Sequence, residues 1–143
     1  MNNNNISMAL SARYQCLARE VLSRLPSGWH AHRVVRLEES RENLHLTQGR
    51  PAVACAAKLQ FKSEEAWIVT LYTSCLDTLS DEAVRWILAR ELAHVLSEPN
   101  HPWRRKVNAT SAQDARAEAL ALGWGFSSER RQFEQEYFLP RAS

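Results

Sequence analysis

Hydrophobic positions in the first part of the chain predict a helix followed by a strand. Apolar side chains recur at roughly helical intervals between Ile6 and Leu25, and Pro26-Ser27-Gly28 ends that helix. The segment from Trp29 to Glu38 contains adjacent valines and a leucine, which favour a first strand. The polar stretch after it, as far as Pro51, predicts a connection with little regular structure.

Two neighbouring segments further along the chain predict a β-hairpin. Residues 52–61 are rich in small apolar side chains, and Ala66-Trp67-Ile68-Val69-Thr70-Leu71-Tyr72 is largely β-branched and aromatic. The short polar segment Lys62-Ser63-Glu64-Glu65 separates them, as a hairpin turn requires.

Helical signals follow the hairpin. Ser80 is a suitable N-cap with acidic residues after it, so a helix is predicted from there to about Ser97. Residues 99–110 are polar and contain prolines, which predicts a loop. A second helix is predicted from Ser111 to about Trp124, where Gly125 can close it.

A short final helix is predicted from Ser128 to Phe138. The order of elements is then an N-terminal helix, a small and mostly antiparallel sheet, and further helices. This order predicts the α+β fold class, with a single domain over residues 6–143. The polar residues 1–5 are expected to be disordered.

Glu91 has an unusual position on the helix that follows Ser80. On a helical wheel at about 100° per residue, Val84, Leu88 and Val95 define an apolar stripe, and Glu91 falls inside it. A carboxylate that faces the core costs free energy unless it is paired, protonated or near a metal ion. Glu91 is therefore expected to have a specific partner.

The residues around Glu91 form a metal-binding motif with one departure. In His-Glu-x-x-His, two histidines four residues apart bind one Zn²⁺ on a helix face, and the glutamate activates a water molecule. This chain has Arg90-Glu91-Leu92-Ala93-His94. Arg90 cannot bind a metal ion, because its guanidinium stays protonated and has no lone pair to donate.

The next helix carries two acidic residues one turn apart. Asp114 and Glu118 lie on one face, and like charges at this spacing repel each other mildly. A cation between them would remove that repulsion, and a helical carboxylate can be the third ligand of a zinc site. An ordinary exposed acidic face is the alternative interpretation of this pair.

These two helices together resemble a known family. Ile87-Leu88-Ala89-Arg90-Glu91-Leu92-Ala93-His94-Val95-Leu96 resembles the active-site helix of the zincin metallopeptidases. Asp114-Ala115-Arg116-Ala117-Glu118-Ala119-Leu120-Ala121, followed by Trp124-Gly125-Phe126, is similar to their second, acidic helix. The likeness is closest to small bacterial gluzincin-like domains, including the ImmA/IrrE type, and covers about residues 66–126.

The resemblance implies roles for particular residues. His94 would be the second zinc ligand, Glu91 the general base, and Asp114 or Glu118 the third ligand. The preceding strand would bind a substrate or partner peptide as an added strand. That strand comprises Trp67, Ile68, Val69, Thr70, Leu71 and Tyr72.

Arg90 leaves three interpretations open. In the first, zinc is absent, the guanidinium reaches Asp114 or Glu118 in its place, and the domain is a pseudoenzyme. In the second, His30, His32 or His101 replaces the missing ligand and the enzyme is an active zinc metallopeptidase. In the third, the domain is a structural or regulatory module unrelated to peptidases. Zinc is expected as a cofactor only in the second.

Composition narrows the setting in which this chain works. The net charge of +2 over 143 residues is too small to favour nucleic acid or an anionic membrane. A peptide or protein segment is the partner that the resemblance implies. The cysteines, Cys16, Cys55 and Cys75, are odd in number and have no metal-binding spacing. With no signal-peptide pattern at the N-terminus, these features predict a cytoplasmic protein.

Overall fold

A mixed β-sheet forms one layer of the domain. The computed structural model describes residues 6–27, 29, 33–41, 46–47, 50–51, 53–61, 64–97, 105–106 and 111–137. The strands in this part of the chain are β1 (Ile6–Ala9), β2 (Val34–Ser40), β3 (Leu46–Thr47), β4 (Arg50–Pro51), β5 (Ala54–Phe61), β6 (Glu64–Tyr72) and β7 (Arg105–Lys106). The main sheet has the order β1-β2-β6-β5-β7, and β3 pairs with β4 separately.

The helices complete the fold. They are α1 (Ala12–Ser23), α2 (Thr73–Leu76), α3 (Asp81–Ser97), α4 (Ser111–Gly123) and α5 (Ser127–Tyr137). The α3 helix packs against β5 and β6 and also contacts α1, α4 and α5. The predicted α+β fold class is therefore confirmed. The α3 helix lies between the sheet and the other long helices.

The sheet differs from the sequence prediction in its parallel half. The predicted hairpin is present, because β5 and β6 pair antiparallel from Ala54↔Leu71 to Phe61↔Glu64. However, β1 pairs parallel with β2, and β2 pairs parallel with β6. The residues of β1 had been assigned to the first helix. Their alternating burial suits a strand, and α1 then acts as the crossover that parallel neighbours need.

Alternation along β6 shows where the core lies. Trp67, Val69 and Leu71 are buried in the main hydrophobic cluster, whereas Ile68 and Thr70 between them are partly exposed. Successive side chains on a strand point to opposite faces. The first set therefore packs toward the helices, and the helical layer covers that face of the sheet.

The α3 helix begins as the sequence predicts but is buried more completely. The Ala83 backbone N–H donates to the Ser80 hydroxyl over 3.2 Å, which is an N-cap bond. Buried residues lie all around α3 rather than on one stripe, because the sheet, α1, α4 and α5 surround it. A helix that packs on all sides is held in a fixed orientation, and so are the side chains it carries.

A tight turn between α4 and α5 sets the direction of the last helix. Gly125 has a φ of 98°, a left-handed conformation that favours glycine, so its predicted role in closing α4 is confirmed. The Gly125 N–H donates to the Leu122 carbonyl over 3.0 Å. The guanidinium of Arg24 donates to the Gly125 carbonyl and lies 3.8 Å from the centre of the Phe126 ring.

Candidate functional site

The motif residues Glu91 and His94 are both buried on α3. Glu91 is 5% exposed and His94 is 4% exposed, within a helix whose other buried residues are mostly apolar. The wheel predicted a core-facing Glu91, and the structure confirms it. Buried ionisable side chains require partners, since an isolated charge in the core is costly.

His94 meets the second helix through a direct contact. Its Nε2 donates to Oδ1 of Asp114 over 3.2 Å. Asp114 lies in the first turn of α4, and its side chain is 52% exposed. The structure thus brings together His94 and one of the two acids that the resemblance nominates as ligands, at the crossing of α3 and α4.

The surroundings of His94 favour its protonated form. Burial lowers the pKa of His94, but the hydrogen bond to Asp114 and the charges of Glu91 and Asp114 oppose this effect. Arg90 acts in the same direction as burial. The acidic groups outweigh both, and the pKa of His94 lies above its ordinary value.

Asp114→Asn is expected to lower the pKa of His94, because it removes the accepting carboxylate. A group whose pKa is raised by folding stabilises the folded protein fully when the pH is below the unfolded-state pKa. This stabilisation is lost as the pH rises through the folded-state pKa. The variant should therefore be less stable than the wild type by about 1 kcal/mol under mildly acidic conditions, discounted for the exposure of Asp114. This difference should shrink as the pH rises.

NMR titration of the metal-free protein measures the pKa of His94 directly, and thermal unfolding gives the stability. Glu118→Gln is the matched control on the same helix, since Glu118 forms no hydrogen bond or ion pair with a described residue. An unchanged pKa of His94 in Asp114→Asn would show that this contact is absent in solution.

Arg90 does not take the place that the sequence suggested for it. Within the described residues, no hydrogen bond or ion pair joins Arg90 to Asp114 or Glu118. Its Nε lies 3.7 Å from Oε2 of Glu91, and its Cζ lies 5.8 Å from the centre of the Phe133 ring. Arg90 shares a helix face with His94, but α5 lies beside it, and the long side chain turns toward the aromatic ring there.

The donor groups for a metal ion are incomplete in the part of the chain that is described. No cluster of three or more His, Cys, Asp or Glu side chains there is placed to hold a metal ion. Glu118, one turn beyond Asp114, is half-buried. The alternative ligands His30, His32 and His101 lie outside the described residues.

The strand expected to receive a peptide has no edge available for one. Residues Ala66–Tyr72 of β6 pair with Val34–Ser40 of β2 on one side. On the other side, β6 pairs with β5 along its whole length. A peptide adds to a sheet through unpaired backbone groups, and β6 is a central strand. The expectation that Trp67–Tyr72 binds a substrate or partner in this way is therefore wrong.

The contribution of α5 to this region was missed at the sequence level. Phe133 covers Arg90, and Glu136 accepts hydrogen bonds from the backbone N–H and the hydroxyl of Ser80 at the start of α3. One signal was available, since Phe133 and Tyr137 are the only apolar residues of α5. Isolated apolar residues in a polar helix mark the face by which it packs.

Comparisons with known proteins found no match for this chain. No protein-family model, no curated protein and no solved structure matches this chain. Among the described helices, none is both long and apolar enough to cross a membrane.

Proposed function

We propose that this chain is a zincin-like domain that has lost zinc binding and peptide hydrolysis and that acts by binding a peptide or protein segment. The observation that carries the proposal is a pair of contacts. Arg90 lies 3.7 Å from Glu91, and His94 lies 3.2 Å from Asp114. His94 and Asp114, which the resemblance assigns to zinc, are thus paired with each other. Glu91, which it assigns to the water, has the Arg90 guanidinium as its charged neighbour.

The chemistry of these residues argues against a zinc centre of the usual kind. Zinc in such a domain lowers the pKa of its bound water and polarises the substrate carbonyl. Arg90 offers no lone pair where the first ligand belongs. The described donors His94 and Asp114 fall short of the three protein ligands that a catalytic site needs. The residues that the structure describes therefore do not complete a zinc site.

Glu91 is also poorly placed to act as a base. A general base needs an unshared carboxylate within reach of the proton that it removes. The guanidinium of Arg90 lies 3.7 Å from the Glu91 carboxylate, so this carboxylate is shared with a neighbouring charge. The same pairing lowers the cost of burying Glu91 in a core helix.

An active metallopeptidase with a substituted ligand is the second candidate. It is favoured by the contact between His94 and Asp114, since two donors 3.2 Å apart can bind one ion. A histidine from elsewhere in the chain would then complete the site. We propose a cytoplasmic setting for both candidates, which the three free cysteines support.

Metal analysis of the purified full-length chain separates these candidates. The expected result for the wild type is a zinc content far below one ion per chain, unchanged in His94→Ala. Arg116→Ala, an exposed residue of α4, is the surface control. Stoichiometric zinc in the wild type that disappears in His94→Ala but persists in Arg116→Ala would overturn the pseudoenzyme proposal and support the active enzyme.

A further inference from the structure

The last helix is held to the domain by one buried aromatic residue, one half-buried aromatic residue and several polar contacts. Of its residues, Phe133 is buried and Tyr137, which stacks on Phe133 with ring centres 5.0 Å apart, is half-buried. The other positions of α5 are polar or charged. Elements with few buried apolar contacts open locally at a lower free energy than the global unfolding of the domain. The polar contacts of α5 therefore decide how firmly it stays bound.

Three side chains of α5 make these contacts from a single face. Glu129 accepts a hydrogen bond from Nη1 of Arg24 over 2.6 Å. Phe133 lies against the Arg90 guanidinium, and Glu136 accepts the Ser80 backbone N–H over 2.7 Å. The residues are four and then three positions apart, which places them on one side of a helix. The pattern acid, aromatic, acid on that face is what the domain recognises.

The surface under α5 carries two arginines and the N-terminus of α3 at these points. We call Arg24, Ser80 and Arg90 the α5-binding surface. Arg24 and Arg90 carry charges, and Ser80 stands at the N-terminus of α3, where the helix dipole is positive. Burial raises the pKa of Glu129, but the hydrogen bonds from Arg24, its own backbone and Ser128, together with the charge of Arg24, outweigh burial and lower this pKa. The surface therefore favours acidic helices.

We propose that α5 is a displaceable ligand within the chain, and that the α5-binding surface takes an acidic amphipathic helix of a partner protein in its place. Charge complementarity and the one-sided acid–aromatic–acid pattern define this partner. The proposal goes beyond the loss of zinc and does not depend on it, since none of its contacts involves His94 or Asp114.

Hydrogen exchange of the wild-type protein tests whether α5 detaches. The amides of α5 are expected to exchange at least about tenfold faster than those of α3, through a local opening that depends weakly on denaturant. Equal protection in α5 and α3, with the same dependence on denaturant, would mean that α5 leaves only on global unfolding. That result would overturn the proposal without any variant being made.

A binding experiment on the full-length chain tests the surface. The probe is a fluorescein-labelled peptide with the sequence of residues 127–137, followed by fluorescence anisotropy. Phe133→Ala weakens the docking of the chain's own α5. The probe should therefore bind this variant at least about tenfold more tightly than the wild type, where the surface is mostly occupied. A second peptide, with Glu129 and Glu136 replaced by Gln, should bind at least about tenfold more weakly than the first.

Matched variants locate the binding. In the Phe133→Ala background, Arg24→Gln should weaken binding of the probe, and Arg19→Gln, on the exposed side of α1, should leave it unchanged. Equal binding to the wild type and to a folded Phe133→Ala would overturn the proposal. So would equal effects of Arg24→Gln and Arg19→Gln. If Phe133→Ala does not fold, the hydrogen exchange of the wild type decides.

Discussion

Arg90→His is expected to give this protein a zinc site, on the proposal that the wild type binds no zinc. The substitution places an imidazole one turn before His94 on the same face of α3, and Asp114 already lies 3.2 Å from His94. Two imidazoles and one carboxylate then supply three ligands. The zinc affinity should therefore rise by roughly 100-fold or more. Each tenfold change in affinity corresponds to about 1.4 kcal/mol of binding free energy. Removal of Arg90 also releases Glu91 from its charged neighbour.

Isothermal titration calorimetry and metal analysis measure this gain. Zinc that binds the folded protein also raises its stability, by about 2.7 kcal/mol when the free zinc concentration is 100 times the dissociation constant. Arg85→His is the matched control, since it adds a histidine to α3 at a position that pairs with Glu20 of α1. If Arg90→His binds zinc no better than Arg85→His, the resemblance to zincins is misleading and a structural or regulatory module is the better interpretation.

Trp67→Ala is expected to destabilise the domain by about 3–5 kcal/mol, the usual cost of emptying a large buried aromatic site. Trp67 is 1% exposed, lies on the central strand β6 and belongs to the main hydrophobic cluster. Two paired strands flank it, and α3 packs on its strand from one face, so the surrounding residues have little freedom to close the cavity. Many domains have only about 5–15 kcal/mol of stability in total.

Chemical denaturation of the variant, followed by circular dichroism, measures this loss. Ile68→Ala is the control on the next residue of β6, where the side chain points to the opposite face and is partly exposed. It should cost about 1 kcal/mol, because a half-buried side chain loses less contact with its surroundings. Similar losses for the two variants would contradict the assignment of the helical layer to the face that Trp67 occupies.

The elements of the fold that could be predicted are those with a local cause. The hairpin of β5 and β6 follows from two apolar segments with a short polar turn, and the closure of α4 follows from Gly125. Residues Ile6–Ala9 were misassigned because apolar spacing in a short segment fits a helix or a strand. Only the pairing of β1 with β2, more than twenty residues away along the chain, selects the strand.

The candidate site also has features that the sequence predicts and features that it does not. The burial of Glu91 could be predicted, because the position of a residue on a helix follows from its spacing to the other apolar residues. The direction of the Arg90 side chain could not, because a long and flexible guanidinium turns toward whichever neighbour the packing supplies. That neighbour is Phe133 of α5.

The sequence by itself determined the α+β class, the N-terminal cap of α3, the burial of Glu91, and a run that differs from a zinc-binding motif at Arg90. These properties depend on residues within a few turns of one another. Tertiary structure alone decided that β6 is a central strand, that His94 pairs with Asp114, and that α5 covers Arg90. The physical reason is that sheet order and helix packing join distant segments, and no local pattern records which of them meet.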